Sequence, residues 1–391
     1  MPIDVDAARA LTPGCEHVLH LNHAGASLLP QPVLDAVIGH LRAEAAMGGY
    51  EAADAALPAR QAVYASLAEL LGAQPDEIAL FDSATRAWLT VVHSLPVTAE
   101  TRLVTGRAEY GSNAIALLQL AERRGCEIVL VEDDARGQID LEALARVLDG
   151  PPAVVSLTHV PTQSGLVNPA EEVGRLCREA GATFVLDACQ SAGQLPLDVR
   201  ALGCHALTGT GRKFLRGPRG TGFAWVDPVL LERLDPVVLD LHGATWIAPD
   251  RYQPRPDAQR LELWERDIAG QIGLGAAVDH ALEWGLDAIA ERTAALAADL
   301  RGRLAEIPGV TVQDRGARLG AICTFTIDGW DPAEVVRRLR AAGTNVSASP
   351  ATSAQHDLPR RGLSAVVRAS VHYVTTEDEL DRFAAQVAAL A

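Results

Sequence analysis

Residues 208–223 read TGTGRKFLRGPRGTGF, and they hold the only lysine, Lys213, of a 391-residue chain that carries 33 arginines. Arginine replaces most surface lysines without loss. It cannot replace an amine that must shed its proton and attack a carbonyl. The stretch lies between two strand-like runs, HALTGT (205–210) and GTGFAWV (220–226). Gly217, Gly220 and Gly222 superficially resemble a nucleotide loop, but they lead into a strand rather than a helix, which excludes that reading. The lysine therefore sits on a turn between two strands of a larger sheet.

Outward from this turn the same texture repeats. Further strand candidates are EIALF (77–81), RLVTG (102–106), EIVLV (127–131), AVVSLTHV (153–160) and TFVLDAC (183–189). Between several of them run helical patterns with a glycine stop, such as NAIALLQLAERRG and PAEEVGRLCREAG. Alternation of this kind predicts an α/β fold, a mainly parallel seven-stranded sheet flanked by helices, with the ligand beyond the carboxyl ends of the strands. From about residue 285 the pattern changes to a long helix (287–306), the strand-like GVTVQD, AICTFTID and AVVRASVHYV, and the helices PAEVVRRLRAAG and EDELDRFAAQVAAL. The expected organisation is an N-terminal segment (1–20) joining the smaller unit, a large domain (21–285) and a small α+β C-terminal domain (286–391). The proline-rich APDRYQPRPDAQR (248–260) reads as a long loop.

Composition excludes several classes. A net charge of −16 argues against nucleic acid, which wants a concentrated basic face. The six cysteines are scattered without metal-ligand or disulfide spacing, which predicts no metal site and reduced thiols in the cytoplasm. No apolar run approaches the ~18 residues needed to span a bilayer, and no signal peptide opens the sequence.

A lone reactive lysine suggests pyridoxal phosphate, which demands an amine, a carboxylate on its ring nitrogen, a phosphate cup and a group on its ring face. Lys213 meets the first demand. Asp187, ending TFVLD, suits the second, since a carboxylate there keeps the ring protonated and able to accept electrons. For the phosphate, Ser83, Ala84 and Thr85 open a helical pattern whose free amides and dipole favour an anion; Ser83 also reads as a simple helix cap. Thr210 and Arg212 are further phosphate candidates, and Tyr110 in AEYGSN is placed to stack on the ring.

These runs, VLDACQSAGQLPLDV followed by TGTGRKFLRGPRGTGF, resemble fold-type-I pyridoxal-phosphate enzymes of the class-V aminotransferase and cysteine-desulfurase superfamily. The resemblance extends to LNHAGASLLP, LTHVPTQSGLVNP and VRASVHYVTTEDELDRF, nearly the whole chain. It implies a homodimer with active sites at the interface. It also implies that Lys213 binds the cofactor, Asp187 its ring nitrogen, and Gln190 its ring hydroxyl with Thr162 nearby. Tyr110 stands where many relatives stack a histidine, and Ser83, Ala84, Thr85, Thr210 and Arg212 would surround the phosphate. Arg368 would bind the substrate carboxylate, for which a guanidinium fork is apt, and Asn22 and His23 would line the substrate pocket.

One departure is informative. Cysteine desulfurases carry a nucleophilic cysteine shortly before the arginine corresponding to Arg368, whereas NVSASPATSAQHDLPRRGLSAVV (345–367) contains none. With SATRAW, AEYGSN and LELWERDIAGQ, the chain looks similar to C–S lyases of sulfur natural-product pathways, of the ergothioneine sulfoxide-lyase and lincosamide S-cysteine-conjugate kind. The expected activity is a pyridoxal-phosphate β-lyase that takes an S-substituted cysteine or its sulfoxide to pyruvate and ammonia. Lys213 is the base, and Tyr110 and His23 are candidate acids for the leaving sulfur. An aminotransferase or epimerase using the same carbanion, and a fold-sharing regulator without turnover, are the alternatives.

Overall fold

The computed structural model describes residues 2–391. A short strand, β1 (Leu19–His20), precedes seven strands that form one sheet. These are β2 (Ile78–Phe81), β3 (Arg102–Gly106), β4 (Glu127–Val131), β5 (Ala153–Thr158), β6 (Thr183–Asp187), β7 (Ala206–Thr210) and β8 (Gly222–Val226). Each falls on a run that the sequence marks as strand. Their spatial order is β2-β8-β7-β6-β5-β3-β4, and β8 alone runs against the other six. The sheet is buried on both faces because successive residues of the apolar strands feed different cores. Val104, Val155 and Leu186 pack on one side, and Leu103, Val154 and Val185 on the other.

Two features of this topology place the site. The chain goes outward from β3 to β4 and then returns to lay β5 on the far side of β3, so a crevice opens between the carboxyl ends of β3 and β5. The helices that follow are firmly ended: Gly111–Arg124 stops at Gly125 and Ala170–Ala180 at Gly181, both in left-handed conformation.

A hairpin follows, β9 (Ala244–Ala248) with β10 (Arg251–Pro254). Here the sequence reading of 248–260 as plain loop is corrected. Pro249 sits in the turn and Pro254 ends β10, and the hairpin's side chains are largely exposed, so no apolar alternation marked it. The last strands are β11 (Val310–Val312), β12 (Ile322–Ile327), β13 (Thr344–Asn345), β14 (Ser347–Pro350) and β15 (Ala365–Ser370). Four of them form an antiparallel sheet, β11-β12-β15-β14, over a core that includes Leu296, Leu300, Phe325, Val367 and Phe383. The amino-terminal segment reaches the same region: β1 pairs with β13, and Asn22 bridges to Ser370. Among the described residues, no helix is long and apolar enough to cross a membrane.

Candidate active site

All ten residues assigned to the cofactor from the sequence line a single cavity at the β3/β5 crevice, together with Thr158, Val160 and Cys189. Lys213 lies on the turn after β7 and is 8% exposed. The turn is closed by Gly217 N donating to the Gly211 carbonyl (2.7 Å). It is then stapled by Arg216, whose backbone takes φ 60 and whose guanidinium is fully buried. That guanidinium donates to Tyr373 Oη (2.6 Å), Thr12 Oγ1 (2.6 Å) and the Leu28 carbonyl (3.1 Å). Gly193, at φ 89, lets the chain after β6 pass against this turn; a Cβ there would meet Leu215 N at 2.5 Å. The lysine is thus held by backbone that its neighbours cannot release without exposing a buried cation.

Burial pushes the Lys213 amine below its ordinary value, with Arg212 and Arg368 adding to the effect while Cys189 and Asp187 oppose it. Tyr110 faces it, with Nζ 6.0 Å from the ring centroid. Asp187 ends β6, where its Oδ1 accepts from Cys189 N (2.9 Å) and its Oδ2 from Asn113 Nδ2 (2.9 Å). Gln190 Nε2 donates to the Ala24 carbonyl (3.1 Å), and its buried Oε1 has no partner among the described residues. That open acceptor suits a ligand hydroxyl.

Ser83 is spoken for as a cap, its Oγ accepting from Arg86 N (3.2 Å). The helix Ala84–His93 that it opens still presents its first amides to the cavity, as an anion requires. This helix end reaches the cavity because β8 has glycine at 222, where a Cβ would lie 2.3 Å from the Ser83 carbonyl carbon. Thr210 Oγ1 donates to the Thr221 carbonyl (3.1 Å), and the Arg212 guanidinium donates to the Gly25 carbonyl. Both side chains reach the cavity, Arg212 with part of its donor capacity engaged and Thr210 with its single hydroxyl proton committed and its lone pairs free.

Arg368 and Asn22 stand behind Thr162 rather than in the cavity wall. Arg368 Nη1 donates to Thr162 Oγ1 and to its carbonyl (3.3 Å), and Nη2 to Asn22 Oδ1 (3.4 Å). Arg368 is 7% exposed, its Nε has no partner among the described residues, and burial with the Arg212 charge pushes it down to about 10. A guanidinium this poorly paired is prepared for an anion.

His23 is a correction to the sequence reading. It is 1% exposed, with Nδ1 against Ser27 Oγ (2.9 Å) and its ring edge-on to His20 and His372. Burial holds it well below the ordinary histidine range, so it is a neutral packing group and not an acid facing substrate. Sequence reasoning missed Cys189 and Asn113. Cys189 follows Asp187 by two residues, and Asn113 lies one helical turn after Tyr110, so proximity to assigned residues was the available signal. Burial raises the Cys189 thiol well above its ordinary value, with Asp187 adding to the effect, which leaves it un-ionised.

The set fits pyridoxal phosphate: an amine without an ion pair among the described residues, a carboxylate opposite, an open helix end and an aromatic face. Comparison with known proteins agrees. The class-V aminotransferase family matches residues 19–383. The chain is 34% identical over 382 residues to a probable hercynylcysteine sulfoxide lyase of Mycobacterium tuberculosis, covering 95% of this chain and 90% of that one. It is 28% identical over 371 residues to a probable cysteine desulfurase of Methanothermobacter thermautotrophicus, covering 93% and 92%. The apo structure of a cysteine desulfurase from Thermococcus onnurineus superposes with a TM-score of 0.90 at 24% identity, covering 100% of this chain and 98% of that one.

Proposed function

Because the chain belongs to the class-V aminotransferase family, whose cofactor is pyridoxal phosphate, we propose that it is a β-lyase that breaks the C–S bond of an S-substituted cysteine or its sulfoxide. When bound, the cofactor supplies an electron sink for the pair left behind as the α-proton departs. Lys213 would hold it, Asp187 its ring nitrogen, Gln190 its hydroxyl, and the Ser83–Thr85 helix end with Thr210 and Arg212 its phosphate. Arg368, aided by Asn22, binds the substrate carboxylate and fixes the α-carbon against Lys213. The Lys213 amine, less basic for being buried, takes the α-proton at Nζ. Tyr110 remains the candidate donor to the leaving sulfur.

The observation that carries the lyase reading is the segment over the substrate side. Ser349 Oγ donates to the Thr162 carbonyl (3.3 Å), and Ser353 lies against Gly111 beside Tyr110. This rim, where a desulfurase needs a thiolate to accept sulfur, carries serine and alanine (Ser347–Ser353) and no cysteine. The thiol that does reach the cavity, Cys189, is held protonated. Sulfur therefore leaves with its substituent and is not transferred to the protein. The sulfoxide-lyase relative supports the same reading, and the lincosamide-type conjugate is a narrower choice within it.

Exposed apolar side chains at Val237, Val238, Leu241, Trp246, Ile247, Tyr252 and Trp264 support a homodimer, and six free cysteines support a cytoplasmic setting. Residues 21–285 would form the cofactor-binding domain, with 1–20 and 286–391 forming the smaller one.

The test is incubation with S-alkyl cysteine sulfoxides and with free cysteine. The sulfoxide should give pyruvate and ammonia in equal amounts without any keto acid, and cysteine should give little persulfide or alanine. Pyruvate that appears only with an added keto-acid acceptor, or racemisation of the α-carbon without cleavage, rejects the lyase in favour of an aminotransferase or epimerase.

A further inference from the structure

Beneath Asp187 lies a second carboxylate that the chemistry above does not use. Glu109 sits on the turn between β3 and the helix Gly111–Arg124 and is 3% exposed. Its Oε2 accepts from Thr105 Oγ1 (2.8 Å) and Ser156 Oγ (2.7 Å). Its Oε1 accepts from Tyr110 N (2.7 Å), Asn113 Nδ2 (3.1 Å) and Thr158 Oγ1. Every donor is neutral, and among the described residues no arginine or lysine pairs with it. A buried carboxylate is stable under those conditions only when its lone pairs are filled, as here.

Asn113 connects the two acids. The same Nδ2 that donates to Glu109 donates to Asp187 Oδ2 at 2.9 Å. A carboxamide has two N–H bonds, and here each serves one carboxylate. The reversed amide would set Oδ1 against both acids, so the rotamer is fixed by charge. Asp187 is held in turn by Asn113 on one oxygen and Cys189 N on the other, which aims its free lone pairs into the cavity.

Resting on the cofactor reading above, we propose that Glu109, through Asn113, is a positioning residue for Asp187 and sets the proton affinity of the ring nitrogen that Asp187 would hold. A tie for the Tyr110 turn needs the shape of Glu109 but not its charge. Two carboxylates in series, Asp187 in the cavity wall and Glu109 behind it through Asn113, make a potential that favours a cation at Asp187, against the opposing charges of Lys213 and Arg212 in the same wall. The remaining titratable neighbours are Arg107 and Asp133 in the small cleft beside Glu109, and His159 and Cys189 flanking Asp187.

Glu109→Gln in the holoenzyme separates charge from shape. The glutamine carbonyl can face Tyr110 N and Asn113, while its amide donates to Thr105 and Ser156, whose hydroxyls rotate to accept. The expected result is a cofactor Kd raised about tenfold and a fall of about one unit in the pH at which the ring nitrogen of bound nitrogen-15-labelled cofactor loses its proton, read by its NMR shift, at unaltered Tm of the cofactor-free protein. Asn113→Leu cuts the bridge and should move both readouts the same way; if Glu109→Gln does not fold, this variant alone decides. Unchanged Kd and unchanged pH response overturn the proposal, and failure of both variants to fold assigns the pair to the fold and overturns it too. Wild-type protein that takes up no cofactor refutes instead the reading on which the proposal rests.

Discussion

Replacing Arg368 with methionine should make the protein more stable and less able to bind substrate. Its guanidinium is pushed down from its ordinary value to about 10 by burial and by Arg212. At neutral pH it is charged in both the folded and unfolded chain, so the whole difference is a folding penalty of about 3 kcal/mol. Against this stand two contacts, that of Nη1 to Thr162, divided between its hydroxyl and its carbonyl, and that of Nη2 to Asn22, each of the two contributing about 1 kcal/mol. Methionine fills similar volume and leaves no unsatisfied Nε. The net expectation for Arg368→Met is a gain of about 1 kcal/mol in the cofactor-free protein, read as a higher urea midpoint at unchanged slope. Substrate affinity should fall tens- to thousands-fold, the effect of losing a buried charge-assisted contact of about 2–5 kcal/mol, read by titrating a substrate analogue against the visible band. A variant less stable by 1 kcal/mol or more that binds the analogue normally would show that Arg368 is a structural tie, and the argument from its poor pairing would be wrong.

Borohydride treatment of the yellow holoenzyme should fix the cofactor on the peptide containing Lys213; a colourless protein that yields no labelled peptide rejects the cofactor assignment. Stability should fall steeply with acid. His20 and His159 are pushed down to about 4 and His372 to about 3, chiefly by burial, so the folded chain keeps them neutral while the unfolded chain takes up protons below 6.5. Their contribution is therefore complete above pH 6.5 and is lost as the pH falls toward 4, at up to about 1.4 kcal/mol per pH unit for each. Denaturation midpoints at successive pH values check this, and because His23 and His280 are held down by burial in the same way, His372→Gln should remove about a fifth of the histidine slope.

Strands β2 to β8 were legible because each is a short apolar run bounded by turn residues, and Asp187 and Lys213 because strand ends in such a sheet are where ligands sit. The order of the strands was not legible, since nothing local tells β5 to return past β3. β13 and β14 were invisible for a different reason. TN and SASP carry no apolar alternation, and they are strands only because β1 and β15 supply partners. His23 misled because a polar residue in a matched stretch reads as a ligand group. Its neighbours His20 and His372, the latter 349 residues further along, turn it into packing. Glu109 and Asn113 were passed over because their meaning depends on Ser156, Thr158 and Asp187 arriving from other strands.

The solitary, interior lysine also bears on how the protein meets reactive carbonyl compounds. A chain of this length ordinarily displays many side-chain amines on which sugars, aldehydes and activated esters react indiscriminately. Apart from its α-amino group, this one has a single amine, beneath Tyr110 and at the end of a cavity. Amine-directed dyes or cross-linkers of ordinary size should therefore leave the outer surface untouched. An aldehyde small and flat enough to enter has no bystander amines to distract it, so adduct formation becomes in itself a measure of access to the cavity.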